Sequence, residues 1–239
     1  MRYLTSISLA LIVMMALACT TTPPEPTPNI DATVEARAKD LVAEQVNNLR
    51  PNPDLAIDYF NRGAGYALAG DWQLAIGDFT KAIQLGISTT DSSGRNPGRN
   101  FLADAYYLRG VAYAELDQHQ NAINDYTRVI QIHPDNEYIY VTRGLIYDQL
   151  GEYQTAINDY TKAIQIDPDL AHAYYNKGWS YDELGQYQTA INDYTMAIEL
   201  NPDDARAYYY RGIIYYELRQ YERADADKST ACSLDSNYC

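Results

Sequence analysis

Residues on which catalysis and metal binding depend are scarce in this chain. It has 239 residues, with only three histidines and three cysteines. No histidine has a cysteine or serine at a spacing typical of nucleophilic catalysis, and the cysteines lack the spacing of a metal site. Because an activity has to be argued from a site, we predict no enzyme activity, no metal and no cofactor.

Positive charge is also in short supply. Lysine and arginine number 18 against 32 aspartates and glutamates, which gives a formal net charge of −14. Nucleic-acid binding depends on basic side chains that neutralise phosphates. The excess of acidic residues therefore argues against a nucleic-acid partner. The net negative charge also favours partners that carry positive charge.

Long hydrophobic runs are limited to the start of the chain. Residues 4–18 are largely apolar, follow one basic residue at Arg2 and end before Cys19. The run is shorter than the roughly 20 residues of a membrane span, and its flanks predict an export signal. The ending Ala-Leu-Ala-Cys at 16–19 resembles a bacterial lipoprotein signal. That resemblance implies a signal peptide at 1–18, a lipidated Cys19 and an exported, membrane-anchored protein outside the cytoplasm. A simple signal or an uncleaved anchor is the alternative.

Two segments separate this signal from the rest. Residues 19–30 are rich in proline, which predicts an extended tether of about 3.1 Å per residue. Residues 31–50 carry one apolar stripe and predict a single linker helix, N-capped by Asp31 or Asn29. We favour a helix that docks on the domain after it over a short coiled coil, because three full heptads are missing.

The remainder is organised by a repeat of 34 residues. GEYQTAINDYTKAIQIDP, ending at Pro168, returns as GQYQTAINDYTMAIELNP, ending at Pro202. The frame extends to five units at 56–89, 103–136, 137–170, 171–204 and 205–238. Internal repetition of this period predicts stacked supersecondary units.

The spacing of residues that recur from unit to unit predicts two helices in each unit. Position 8 is Gly63, Gly110, Gly144, Gly178 and Gly212, and position 20 is Ala75, Ala122, Ala156, Ala190 and Ala224. Position 4 is always tyrosine, position 11 is always tyrosine, and position 24 is Phe79, Tyr126, Tyr160, Tyr194 and then Lys228. Positions 4, 8 and 11 share one helical face, and positions 20, 24 and 27 share another. Glycine within a helix costs about 1 kcal/mol against alanine, so five glycines at one position predict close-approach points.

The residues at these positions resemble the tetratricopeptide repeat (TPR) family. The resemblance covers 56–238, and it implies an all-α, right-handed α-solenoid of five TPR helix pairs, preceded by the single linker helix. Position 7 departs from the family, because a basic residue replaces the usual leucine in every unit. Residues 90–102 form an insert whose Ser, Gly and Pro content predicts a loop. We favour a tolerated surface insertion, and Arg95 and Arg99 leave a partner contact or an acidic-headgroup contact as the alternative. In the fifth unit, Asp225 and Lys228 replace apolar residues and predict a polar cap.

Opposite charges recur on the two helices of each unit. Position 7 is Arg62, Arg109, Arg143, Lys177 and Arg211, and position 23 is Asp78, Asp125, Asp159, Asp193 and Asp227. Arginine can bind a carboxylate through two parallel hydrogen bonds. We therefore predict a ladder of ion pairs within or between units, in preference to a basic stripe that binds anions.

The resemblance to the TPR family also implies a ligand-binding groove. In the family, positions 2, 5, 9, 12 and 13 line the concave face. Here the candidate groove residues are Tyr107, Val111, Glu115, Val141, Leu145, Asp148, His172, Tyr175, Trp179, Asp182, Glu183, Tyr209, Ile213 and Glu217. We expect Tyr209 beside Tyr175, with an aromatic floor and an acidic edge.

These residue types predict a membrane-tethered scaffold. The basic and amide residues with which some TPR domains hold a carboxylate terminus are absent from the groove, and its acids favour a basic or basic-apolar protein or peptide partner. The alternative is a glycan-binding surface lipoprotein, with sugars stacked on the same rings.

The last two cysteines are placed for one of two roles. Cys232 occupies an inward slot of the final helix and Cys239 follows that helix. An exported protein permits a disulfide between them. The alternative is a reduced Cys232 that acts as a small buried apolar residue.

Overall fold

Helices make up the regular structure of the described chain. The computed structural model describes residues 56–86 and 98–239. The ten helices there are α1 (Ala56–Ala69), α2 (Trp72–Gly86), α3 (Gly98–Glu115), α4 (His119–Ile132), α5 (Glu137–Gln149), α6 (Tyr153–Ile166), α7 (Ala171–Glu183), α8 (Tyr187–Leu200), α9 (Ala205–Glu217) and α10 (Tyr221–Leu234). A 3-10 turn at Ser236–Tyr238 follows them, and these two ranges contain no strand. The predicted all-α fold of helix pairs is confirmed.

Several predictions concern residues outside these ranges. The signal segment, Cys19, the tether, the linker helix at 31–50 and residues 90–97 of the insert are not among the described residues and stay predictions. No helix in the described ranges has the length and apolar character needed to cross a bilayer.

The end of the insert differs from its prediction. Residues 98–102 belong to α3 and not to a loop. Phe101 and Leu102 are half-buried there, so the extra turn of helix places two large apolar side chains against neighbours. That burial outweighs the loop tendency of the residues before them.

The described helices divide into two compact units. In the first, α1 packs against α2. In the second, α3 to α10 pack in chain order, each helix against the next. The first helices of neighbouring repeats also meet there, since α5 contacts α7 and α7 contacts α9.

A left-handed residue turns the chain between the two helices of each repeat. It occurs at position 15, where Gly70, Gly151 and Gly185 have φ of 80°, 73° and 69°. Asp117 and Arg219 hold the same position with φ of 55° and 59°. Glycine adopts this conformation without the steric cost that a β-carbon brings. The reversal makes the two helices antiparallel neighbours.

Glycine sets the distance between those neighbours. A β-carbon on Gly144 would lie 2.7 Å from Cε1 of Tyr160, and one on Gly110 would lie 2.7 Å from Cε1 of Tyr126. The corresponding ring contacts for Gly63 and Gly178 are 3.1 and 3.2 Å. The predicted close-approach points are therefore confirmed in four repeats. In each of them the ring at position 24 lies on the glycine at position 8.

Candidate functional site

One ion pair joins the two helices in each of the five repeats. The pairs are Arg62–Asp78, Arg109–Asp125, Arg143–Asp159, Lys177–Asp193 and Arg211–Asp227. In the four arginine pairs, Nε and Nη2 each donate to one carboxylate oxygen. The predicted ladder is confirmed, and its pairs lie within repeats.

Tyrosine rings flank these cations. The Arg143 guanidinium carbon lies 6.0 Å from the ring centre of Tyr140 and 5.9 Å from that of Tyr147. The other arginines of the ladder have the same two neighbours at positions 4 and 11. The invariant tyrosines and the invariant cation thus form one unit of packing, in which ring faces attract the charge. Each cation at position 7 is paired with an aspartate inside the fold. The ladder therefore offers no basic stripe to an anion.

The candidate binding surface is the first-helix face, which we define as positions 2, 5, 9, 12 and 13 of α3, α5, α7 and α9. Its candidate residues differ in access to solvent. Glu115, Glu183, Ile213 and Glu217 are exposed, whereas Tyr107, Val111, Leu145, His172, Tyr175, Trp179, Asp182 and Tyr209 are half-buried. Val141 and Asp148 are only 5% and 7% exposed, because both pack inside the helix stack, and they do not offer a surface to a ligand.

Tyr175 is the centre of an aromatic cluster in the fourth and fifth repeats. Its ring centre lies 5.7 Å from Tyr194 and 6.1 Å from Tyr210. Tyr210, and not Tyr209, is therefore its neighbour from the next repeat. Tyr209 instead contacts Tyr210 and Tyr238 in the described rings.

One face of Tyr175 is covered by the chain itself. The Arg206 guanidinium carbon lies 5.0 Å from the ring centre, and both carboxylate oxygens of Asp204 hold that guanidinium in place. Asp204 also caps α9 by accepting a hydrogen bond from the Arg206 backbone nitrogen. A ligand cation predicted for this ring would have to compete with a fixed arginine.

Helical spacing places Trp179 one turn after Tyr175, but the ring that it contacts is Tyr153 of the preceding repeat. It meets Tyr153 edge to face, with ring centres 5.6 Å apart, and the Tyr153 hydroxyl donates to Glu183 at 3.2 Å. Tyr153 was absent from the sequence-predicted site. The available signal was position 17, which is also aromatic at Trp72, Tyr187 and Tyr221.

Three carboxylates of α7 and α9 lie near enough to one another for their charges to interact. We call Asp182, Glu183 and Glu217 the acid patch. Burial raises the pKa of Asp182, and the charges of Glu183 and Glu217 raise it further. None of the three forms an ion pair within residues 98–239. The acid patch is therefore an uncompensated negative surface.

Asp148 is a buried neighbour of this patch. It accepts a hydrogen bond from the Tyr160 hydroxyl at 2.6 Å and one from the Ser180 hydroxyl at 2.7 Å. Burial raises the pKa of Asp148 to about 6, with a further contribution from Glu183, although both hydrogen bonds oppose the change. The carboxyl joins the third repeat to the fourth.

His172 is a packing residue on the first-helix face. It stacks on Tyr138 with ring centres 5.9 Å apart and an interplanar angle of 14°. Burial lowers the pKa of His172, and Arg206 lowers it too, against the opposing charges of Asp167 and Glu137. Neutral imidazole at pH 7 is compatible with this stacked position.

The C-terminal cysteines form a disulfide between Cys232 and Cys239. It joins the end of α10 to the residue after the 3-10 turn. Elsewhere in the described chain, no group of three His, Cys, Asp or Glu side chains has the geometry to hold a metal ion.

Known proteins share this architecture. Tetratricopeptide repeat family models match residues 108–175, 171–204 and 194–226. None of the curated proteins matches the sequence.

Solved structures with the same fold include MamA and YrrB. MamA from Desulfovibrio magneticus RS-1, residue 41 to the end, aligns with a TM-score of 0.66 at 18% identity over 78% of this chain and 97% of its own. Another MamA crystal structure gives 0.65 at 22% identity, with coverage of 76% and 92%. YrrB, described as a TPR protein with an unusual peptide-binding site, gives 0.60 at 19% identity, with coverage of 82% and 92%. The helix pairs, the glycine–ring packing and the three matches over residues 108–226 together show that the chain belongs to the tetratricopeptide repeat family.

Proposed function

We propose that this protein is a scaffold that binds a basic segment of a protein partner on the first-helix face of its fourth and fifth repeats. The observation that carries the proposal is the acid patch beside Trp179. Its three carboxylates have no cation partner in the second unit. A lysine or arginine of the partner would supply one.

The electrostatics favour a cationic ligand over a neutral one. Burial raises the pKa of Asp182, and repulsion by Glu183 and Glu217 raises it further, so the free protein holds these charges at a cost. A bound cation would relieve that cost and would also steer the partner during association. The half-buried Trp179 would contribute an apolar contact next to the charge.

The proposed site is smaller than the groove that the sequence indicates. Val141 and Asp148 are buried, and Arg206 already covers Tyr175. Trp179, Ile213 and the acid patch remain accessible on α7 and α9. This pattern suits a segment in which Lys or Arg is next to an apolar residue.

Peptide or protein binding is the class that the family favours. YrrB, with the same fold, is described as having a peptide-binding site. Its low identity to this chain carries the fold and no binding residue. Glycan stacking is less favoured, because Arg206 already covers one ring face of Tyr175.

The proposal places the scaffold outside the cytoplasm, held to a membrane by a lipid on Cys19. Its support is the sequence of residues 1–19 and the proline-rich tether after it. A buried lipid chain contributes about 0.8 kcal/mol per CH₂. We expect Cys19→Ser to remove lipidation and to move the protein from the membrane fraction to the soluble fraction of its native host. Unchanged membrane retention would favour an uncleaved apolar anchor.

Peptide selection tests the binding proposal. A random display library is panned against residues 56–239 and, separately, against the variant Asp182→Asn with Glu183→Gln and Glu217→Gln. We expect the wild type to enrich peptides with Lys or Arg beside an apolar residue and the neutralised variant to lose that enrichment. The matched control is Asp117→Asn with Glu199→Gln and Glu222→Gln, which removes three exposed carboxylates elsewhere in the second unit. Equal enrichment by the wild type and the neutralised variant would refute a cationic partner.

A further inference from the structure

The fifth repeat lacks the aromatic ring that fills the other four. Position 24 is Lys228 there, and its side chain is exposed. A β-carbon on Gly212 would meet Cβ of Asp227 at 3.2 Å and the Ala224 carbonyl oxygen at 3.4 Å, with no ring near it. In each earlier repeat a ring lies on the equivalent glycine, whereas in the fifth repeat Gly212 is buried against Asp227 and Ala224 of α10.

A cavity occupies this position. Its volume is about 380 Å³, and it is bounded by α9, α10 and the C-terminal turn. Tyr209, Gly212, Ile213 and Tyr216 line it from α9, Ala224 lines it from α10, and Tyr238 lines it from the C-terminal turn. Asp225 and Lys228 lie at the wall formed by α10. The volume is at the small end of the range of ligand pockets, roughly 300–1,000 Å³.

The other repeats show what fits such a surface. The ring at position 5 packs on the ring at position 24 in three of them, with centre distances of 5.8 Å for Phe60–Phe79, 6.1 Å for Tyr107–Tyr126 and 5.7 Å for Tyr175–Tyr194. In the fifth repeat, Tyr209 has lost that partner and contacts Tyr238 at 4.9 Å instead. The disulfide of Cys239 with Cys232 holds the turn that carries Tyr238.

We propose that this cavity binds an aromatic side chain, phenylalanine or tyrosine, from a peptide partner. A ring entering over Gly212 would take the place that Tyr160 and Tyr194 occupy in their own repeats. It would meet Tyr209 as an aromatic pair at the centre distances favoured for such pairs, about 4.5–7 Å. Three tyrosine rings and Ile213 supply the apolar contacts, and the absence of a ring at position 24 leaves the volume that the ligand ring would fill.

This site shares Ile213 with the proposed basic-segment site but contains no residue of the acid patch. None of Trp179, Asp182, Glu183 and Glu217 lines the cavity. Only the identification of the ring as part of a peptide rests on the proposed function. Failure of ring binding here would leave the acid-patch proposal standing, and the reverse also holds.

Small probes test the cavity directly. The δ1-methyl group of Ile213 is followed by ¹H–¹³C NMR during titration of the full chain with p-cresol and, separately, with 4-methylcyclohexanol. The two probes match in size, but only p-cresol has an aromatic ring. We expect a saturable shift of the Ile213 signal with p-cresol and at least fivefold weaker binding of 4-methylcyclohexanol. Equal affinity for both probes would overturn the assignment to aromatic side chains.

Lys228→Tyr supplies the internal ring that the other repeats have. It should shift the Ile213 methyl signal without any ligand, through the ring current, and should weaken p-cresol binding at least tenfold. The matched control is Lys162→Tyr, the same change on an exposed face of α6 outside the cavity, and it should bind p-cresol as the wild type does. As a second variant, Tyr216→Ala removes one exposed wall and should weaken binding severalfold. The proposal fails if Ile213 does not respond to p-cresol, or if Lys228→Tyr and Tyr216→Ala both bind it with wild-type affinity.

Discussion

Arginine and lysine make different numbers of hydrogen bonds at position 7 of the repeat. In the third and fifth repeats, the arginine at position 7 binds both carboxylate oxygens of its aspartate and also donates to a threonine of the preceding repeat: Arg143 to Thr127 at 2.8 Å, and Arg211 to Thr195 at 2.9 Å. Lys177 makes one contact with Asp193 at 3.0 Å. Oδ2 of Asp193 is then buried without a hydrogen-bond partner among the described residues. A rigid guanidinium can serve three acceptors, whereas an ammonium is a point charge.

Replacing this lysine should therefore stabilise the protein. Lys177→Arg would pair both oxygens of Asp193 and reach Thr161, the equivalent threonine of the third repeat. We expect the free energy of unfolding in urea at pH 7 to rise by about 0.5–1.5 kcal/mol. The reverse change, Arg143→Lys, is the matched control and should lower it by a similar amount. A neutral result for Arg143→Lys would show that the extra hydrogen bonds add nothing.

Asp148 gives the protein a stability that depends on pH. Its pKa is raised to about 6 in the fold, mainly by burial, against an ordinary value of 3.8. As pH rises from about 4 to about 6, the unfolded chain loses this proton before the folded chain does. The carboxyl therefore favours the folded state most at low pH, and that contribution is lost as the pH rises through the folded pKa.

Asp148→Asn should abolish the decrease in stability that Asp148 causes as the pH rises. The amide oxygen can accept from the Tyr160 hydroxyl, and the amide nitrogen can donate to Ser180 in place of the carboxylate contact. We expect the variant to be more stable than the wild type by about 1–3 kcal/mol at pH 7 and equal to it below pH 4. Urea unfolding at pH 3.5, 5 and 7 measures the difference. A constant difference across this range would contradict the assignment to Asp148.

At the scale of the helix pair, glycine and a ring determine how closely two helices approach. The four earlier repeats place the position-24 ring directly over the position-8 glycine, and the fifth replaces the ring and keeps the glycine. In the third repeat the ring of Tyr160 is fixed at its far end by the hydrogen bond to Asp148. That ring has little freedom to move when the glycine changes.

Gly144→Ala should thus be unfavourable although alanine is the better helix former. Its β-carbon would lie 2.7 Å from Tyr160, so the helices would have to separate. We expect a loss of about 1–3 kcal/mol in unfolding free energy. Gly77→Ala in α2 is the control, because nothing lies within 4 Å of its added β-carbon, and it should gain about 0.5–1 kcal/mol. Thermal unfolding followed by circular dichroism distinguishes the two. A gain at Gly144 would mean that the ring yields.

Across the whole molecule, repeats that share one frame carry different surfaces. The ion pairs and glycine–ring contacts recur from repeat to repeat, while the acid patch belongs to α7 and α9 only. Stability is thereby distributed over the repeats, and the proposed binding site is confined to the fourth and fifth of them.

Trp179 and the acid patch should affect binding in different ways. With a peptide from the selection described above, Trp179→Ala should weaken affinity by at least about 2 kcal/mol, mostly through faster dissociation. Asp182→Asn with Glu183→Gln should mainly slow association and flatten its dependence on salt. Stopped-flow binding at 20 and 300 mM salt separates the two rates, and circular dichroism checks that the half-buried Trp179 can be removed without loss of helix. Unchanged affinity in Trp179→Ala would exclude the tryptophan from the site.

The amino-acid sequence by itself determined the repeat frame, the helix pairs, the close-approach glycines and the ion-pair ladder. All of these depend on contacts inside a single helix pair, where a spacing such as that from Arg143 to Asp159 is short and recurs in every repeat. The tertiary structure alone decided which side chains meet across repeats. Tyr210, and not Tyr209, lies beside Tyr175, and Arg206 covers one face of that ring. Asp148 accepts a hydrogen bond from Ser180, and Tyr153 contacts Trp179. A position in the repeat frame assigns a side chain to one face of its helix. Whether Tyr209 or Tyr210 meets Tyr175 depends on how the fifth repeat is rotated against the fourth. That rotation results from the packing of all the side chains between the repeats.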